Sequence, residues 1–106
     1  MQQITVKELA ALLQQTDSPP LLLDVREPHE FKFCRIDGSV NIPMNRIFAS
    51  LGELDPQREI VAICHHGMRS AQVANFLLSH GFEKVSNLKG GVAAWASEID
   101  PSMPTY

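Results

Sequence analysis

The sequence predicts an α/β fold, a small and mainly parallel sheet flanked by helices on both faces. Two observations carry that expectation. The strand-length runs Leu21–Val25 and Glu59–Cys64 are almost continuously apolar instead of alternating, the pattern of strands covered on both faces in a parallel sheet. Segments with apolar residues at helical spacing lie between such runs, and strands alternating with helices imply layers around parallel strands. At 106 residues the chain reads as one domain, 1–106, because half that length would bury too little surface to hold a core.

Each element has a local reason. Thr5-Val6-Lys7-Glu8 is a capping box that opens a helix with Leu9, Leu12 and Leu13 on one stripe, closed before Thr16-Asp17-Ser18-Pro19-Pro20. Leu21–Val25 is the first buried strand. Pro28 suits the first turn of a short helix carrying His29, Glu30 and Phe31. Asp37-Gly38 marks a turn, Ser39–Ile42 a short strand stopped by Pro43, and Arg46–Leu51 a short helix before the Asp55-Pro56 loop. Glu59–Cys64 is the clearest strand, β-branched and apolar. Arg69–His80 follows as a helix with Ala71, Ala74, Leu77 and Leu78 inward and Gly81 as its C′ residue. Val85–Leu88 is another strand, and Gly91–Ser97 a last helix carrying Trp95 as a core residue. About residues 98–106 form an irregular tail, since Pro101 and Pro104 deny it regular structure.

Composition excludes several classes. With 44% hydrophobic and 20% charged residues the chain is not a disordered acidic one, and no apolar run approaches the ~20 residues of a membrane-spanning helix. A net charge of −3 argues against a nucleic-acid partner. Two cysteines, Cys34 and Cys64, are too few for a disulfide-stapled secreted domain. The N-terminus has no basic segment followed by an apolar one, so a cytoplasmic protein with reduced thiols is expected.

Ligands of an open α/β sheet bind beyond the carboxyl ends of its strands. There the sequence places Asp24, then Cys64-His65-His66-Gly67-Met68-Arg69-Ser70, then Lys89-Gly90-Gly91. A thiol ending a buried strand, a loop with a glycine and a helix start together favour thiolate over thiol, because loop amides and the helix dipole both face the sulfur. Arg69 then offers a positive fork to an anionic substrate. The plain alternative is that Cys64 is a buried small hydrophobe; the polar loop and arginine directly after it argue for a nucleophile.

These residues resemble a known family. Leu22-Leu23-Asp24-Val25-Arg26-Glu27, Arg35-Ile36-Asp37-Gly38-Ser39-Val40-Asn41-Ile42-Pro43, Cys64–Ser70, and Leu88-Lys89-Gly90-Gly91-Val92 through Trp95 look like the successive motifs of single-domain rhodaneses, in the family's order. The resemblance implies the rhodanese-like α/β fold and a sulfurtransferase. Its cysteine would take a sulfane sulfur as a persulfide and pass it on. It implies as partners a small anionic sulfur donor such as thiosulfate and a cyanide or thiol acceptor, a protein thiol included, with no cofactor or metal. Arg35 stands where many family members carry histidine. Four residues separate Cys64 from Arg69, one fewer than in phosphatases of this fold, so the loop is sized for sulfur rather than phosphate. Phosphatase or arsenate-reductase activity is therefore disfavoured, and a persulfide-sensing or sulfur-carrier module with little turnover is the alternative from another class.

The other candidates have two readings each. His65 and His66 tune access at the rim or are exposed loop residues; adjacent side chains make a poor metal site with Cys64. Cys34 is a resolving thiol or, preferably, a packing residue. Asp24, Arg26 and Glu27 form a network that orients the Cys64 loop, with Asp24 contacting Arg69, or ordinary caps and surface pairs. Lys89 adds positive potential near the pocket, while Gly90 and Gly91 supply backbone conformation. His29 and His80 read as helix-surface residues.

Overall fold

The computed structural model describes residues 1–106. Five strands, β1 (Gln2–Ile4), β2 (Leu21–Asp24), β3 (Val40–Asn41), β4 (Ile60–Ile63) and β5 (Val85–Leu88), form one sheet in the order β1-β5-β4-β2-β3. Every pairing is parallel. Four helices, α1 (Val6–Gln15), α2 (Pro28–Phe33), α3 (Met68–Leu78) and α4 (Gly91–Glu98), complete the fold.

Side-chain alternation along the central strands sorts the core into two layers. Leu22, Val61, Ile63 and Leu88 pack with Val6 and Leu9 of α1 and Val92, Trp95 and Ala96 of α4. Leu23, Ile60, Ala62, Cys64 and Val85 pack with Val73, Ala74 and Leu77 of α3 and with Ile47. Both faces are thus covered, which explains why β4 is buried at every position. Trp95 is a core residue. Cys34 and Cys64 belong to different layers, Cys34 with the α1/α4 side and Cys64 with the α3 side.

The α1 capping box forms in full: the Glu8 N–H donates to Thr5 Oγ1 at 3.1 Å and the Thr5 N–H to Glu8 Oε1 at 2.9 Å. The structure adds one strand and corrects two expectations. Gln2–Ile4 is a strand that periodicity missed; Gln2 and Gln3 are exposed, and β1 is specified by main-chain pairing to Ser86–Leu88 rather than by burial. Arg46–Leu51 is not one α-helix but lies across two 3₁₀ segments, Met44–Arg46 and Phe48–Glu53, hung on the buried Ile47. The long helix gives way at Ser79, earlier than expected, and Gly81 at φ +91° lets the Phe82 N–H reach back to the Leu77 carbonyl.

Leu77 is fully buried at the centre of the α3 layer. Leu77→Ala is expected to lower the unfolding free energy by about 3 kcal/mol through lost transfer energy and a residual cavity, measured by urea denaturation.

Candidate active site

Cys64 follows the last residue of β4, so its side chain sits at the carboxyl end of the central strand, 1% exposed. The loop returns at once. Gly67 caps α3 at φ +104°, and its N–H donates to Cys64 Sγ at 3.0 Å. One loop amide, not several, therefore reaches the sulfur. Ser70 Oγ in the first turn of α3 lies 3.2 Å from the same sulfur. Ser70 Oγ also bonds Asn87 Oδ1, while Asn87 Nδ2 donates to the Gly67 carbonyl and to Gln3 Oε1, each at 3.0 Å.

The start of α4 holds the loop from the other side. The Val92 N–H donates to the Cys64 carbonyl and the Ala93 N–H to the His65 carbonyl, both at 3.0 Å. This close approach requires glycine at position 91, where φ is +60° and a Cβ would collide with the carbonyls of Cys64 and His65. The motif at Leu88–Val92 thus contributes backbone donors rather than side-chain charge.

Asp24 and Arg26 are not surface residues. Both are completely buried and paired, Arg26 Nη2 donating to Asp24 Oδ2 at 2.7 Å and Nε to Oδ1 at 3.0 Å. The expected contact between Asp24 and Arg69 does not form. Burial works against the Arg26 charge, but hydrogen bonds to Asp24 and Tyr106 outweigh it and hold the guanidinium protonated.

Arg69 pairs with Glu30 of α2 in a two-pronged bridge, Nη1 to Oε1 at 2.8 Å and Nη2 to Oε2 at 3.0 Å. The fork expected to be open for an anion is therefore already engaged. Donation from Arg69 is the main reason the Glu30 carboxyl is held at about 2; partial burial opposes this, and the Glu27 N–H and Tyr106 hydroxyl add to it. Tyr106 OH donates to Glu30 Oε2 at 2.8 Å and accepts from Arg26 Nη1 at 2.9 Å. Its ring stacks on His65 with centroids 3.9 Å apart and planes 8° apart. Burial, then the charge of His66, pushes His65 below its ordinary pKa and favours the neutral ring.

The Cys64–Ser70 residues thus share one site, with His66 and Met68 at its exposed rim. Lys89 is exposed and its side chain makes no hydrogen bond or ion pair. Glu30, Asn87 and Tyr106 are the residues sequence reasoning missed. Asn87 carried a signal, a polar side chain on an interior strand position; Glu30 and Tyr106 carried none, because their partners are distant in sequence.

Glu30→Gln is expected to destabilise the protein by about 1–2 kcal/mol at neutral pH, a value discounted for the solvent-open end of Arg69. Because the folded carboxyl lies below the unfolded one, its contribution is present above the unfolded value. It fades as pH falls toward about 2. Urea midpoints of wild type and variant should converge over that acid range; a constant gap would contradict the assignment.

Residues 5–98 match the family model of the Rhodanese-like domain. A 90-residue stretch covering 80% of the chain is 40% identical to the Rhodanese-like/PpiC domain-containing protein 12, chloroplastic, of Arabidopsis thaliana, and spans 30% of that longer protein. An 85-residue stretch covering 79% of the chain is 33% identical to Thiosulfate sulfurtransferase GlpE of Shewanella oneidensis and spans 84% of it. The crystal structure of a Rhodanese-like Domain Protein from Staphylococcus aureus superposes with a TM-score of 0.86 at 29% identity, covering 100% of this chain and 99% of that one. With the parallel sheet, the Cys64 loop at its carboxyl edge and sulfurtransferase-named relatives in agreement, the chain belongs to the rhodanese-like domain family.

Proposed function

We propose that the protein is a sulfurtransferase that carries a sulfane sulfur on Cys64, taken from thiosulfate or a related persulfide donor. The observation that carries this reading is the placement of Cys64 Sγ at the head of α3, with the Gly67 N–H at 3.0 Å and the Ser70 hydroxyl at 3.2 Å. Both groups can donate to a sulfur anion, and α3 directs the positive end of its dipole toward it.

The reaction divides into two displacements. Cys64 thiolate attacks the outer sulfur of thiosulfate; the new S–S bond forms as the old one breaks, and sulfite leaves with the electron pair. The Cys64 persulfide then meets cyanide or a thiolate at its terminal sulfur, and the bond to Sγ breaks to regenerate the thiolate. No base is needed after the first ionisation, so the neutral His65 ring need not carry a proton. Ping-pong kinetics are expected.

The Glu30–Arg69 bridge bears on the donor. A dianion must share or displace the Glu30 carboxylate to use the Arg69 fork, whereas a less charged persulfide donor need not. Thiosulfate serves as the test substrate for the first displacement.

Incubation with thiosulfate should add the mass of one sulfur to the intact protein. Cyanide should remove it, and Cys64→Ser should prevent it. An unchanged mass with a titratable Cys64 would exclude the thiosulfate half-reaction. Arg69→Ala is expected to raise KM for thiosulfate severalfold, less than the roughly tenfold of one unshared charge-assisted bond, because Glu30 already engages the fork. It should leave sulfur release from preformed persulfide within about twofold on the same reasoning. Equal loss in both half-reactions, followed by rapid mixing, would assign Arg69 to loop structure instead.

A further inference from the structure

An apolar groove lies beside the Cys64 loop and takes no part in holding it. One wall is the 3₁₀ stretch after β3, with Met44, Ile47 and Phe48; the other is the face of α3 that carries Val73 and Phe76. Its volume is about 260 Å³. Sites for whole small molecules usually hold roughly 300–1,000 Å³, so this one takes an apolar side chain or two rather than a cofactor-sized ligand. Phe48 lines it at 69% exposure and meets Phe76 edge-on across it, ring centroids 6.2 Å apart. Met68, at the head of α3, is 79% exposed. Met68, Gln72 and Phe76 follow one another at four-residue spacing, so one side of α3 leads from the sulfur loop into the groove. Val73 packs in the same layer as Cys64, and the Met44 N–H donates to the Val25 carbonyl just past β2. The groove is thereby tied to the carboxyl edge of the sheet.

Charge narrows the occupant. Segments 44–48 and 68–76 carry Arg46 and Arg69 and none of the 12 Asp and Glu residues, in a chain of net charge −3. Arg69 is engaged by Glu30, whereas Arg46 is exposed and its side chain makes neither hydrogen bond nor ion pair. The groove is apolar with an unmatched cation on its 3₁₀ wall, so its complement is an apolar group with a carboxylate beside it. A second copy of this chain does not offer that complement. A symmetric contact would set Arg46 against the same positive, acid-free segments of the other copy.

We infer that the groove docks an acceptor protein that presents its cysteine next to an apolar side chain flanked by Asp or Glu. The inference rests on Cys64 being the sulfur carrier. Cys64 is 1% exposed, so a protein thiol reaches the carried sulfur only when its chain is held against the loop rim. With the segment seated, the partner's thiolate attacks the outer sulfur of the persulfide. The new S–S bond forms on the partner, and Cys64 Sγ keeps the electron pair of the bond that breaks.

The test compares three cysteine peptides as acceptors for Cys64 persulfide loaded with thiosulfate. The first has leucine and glutamates beside the cysteine, the second lysines in place of the glutamates, and the third serine in place of the leucine. Below saturation the first should accept sulfur about tenfold faster than the third, the scale of one apolar side chain leaving water. It should be severalfold faster than the second, by a margin that shrinks with added salt. Phe48→Ser should remove the leucine preference and Arg46→Glu should invert the charge preference. Release to cyanide, which needs no docking, should stay within about twofold of wild type in both variants. Equal rates for the three peptides, or preferences that survive both substitutions, overturn the inference. So does sedimentation of the wild type as a dimer that Phe48→Ser returns to monomer, which would give the groove to a second copy. If thiosulfate loads no sulfur, the sulfurtransferase reading fails, and docking is then read without transfer. The serine-for-cysteine form of the first peptide should shift the backbone amide resonances of Phe48, Val73 and Phe76 in the unloaded protein, and resonances that stay fixed overturn the docking inference.

Discussion

A fully buried guanidinium organises the rim on which the site is built. Arg26 spends all five N–H groups on protein: Nε and one Nη2 hydrogen on Asp24, the other Nη2 hydrogen on the Cys34 carbonyl at 2.6 Å, and the two Nη1 hydrogens on the Glu30 carbonyl and Tyr106 OH. An arginine can be tolerated at zero exposure only when paired and saturated in this way, since an uncompensated buried charge is strongly destabilising. The arrangement joins β2, α2, the segment after α2 and the C-terminal tail at one point. Asn41 closes it from β3 by donating to the Asp24 and Arg26 carbonyls, each at 2.9 Å.

From that anchor the charge order propagates outward. Arg26 fixes the Tyr106 hydroxyl, Tyr106 donates to Glu30, and Glu30 holds Arg69 at the start of α3. Positive and negative groups alternate from the interior to the Cys64 loop, so no step leaves a like-charged pair adjacent. The net charge of −3 says nothing about substrate sign under these conditions. What an incoming anion meets is a guanidinium already matched to a carboxylate, and its gain is the difference between two pairings rather than the worth of one.

Much of this was legible in the sequence where the signal was local. The α1 capping box, the buried β4 run and the Cys64-to-Arg69 spacing each depend on residues within a few positions, and each structure follows. β1 was not legible because its strand character comes from pairing with β5, not from its own side chains. The tail is irregular, as its prolines require, yet irregular does not mean idle: Met103 is buried and Tyr106 covers His65. Asp24 and Arg26 were read as rim residues because charge ordinarily marks the surface. Their burial becomes intelligible only when the carbonyls of Glu30 and Cys34 are seen beside them, and no periodicity carries that information.

Asn87 shows the same limit from the opposite side. A four-residue strand reading Val-Ser-Asn-Leu is unremarkable until its neighbours are known, yet its asparagine lies on the α3 side, in register with Ala62 and two residues before the thiol. A hydrophobic residue there would pack against the layer and leave the Gly67 carbonyl without its donor. An aspartate would set an acceptor against that carbonyl. Asparagine offers a donor to Gly67 and an acceptor to Ser70 in one short side chain, so the same residue holds both sides of the loop. Catalytic geometry in this fold is consequently coupled to the sheet itself. The loop supplies the sulfur and one amide, while the strand behind it holds the Gly67 carbonyl and the Ser70 hydroxyl in place.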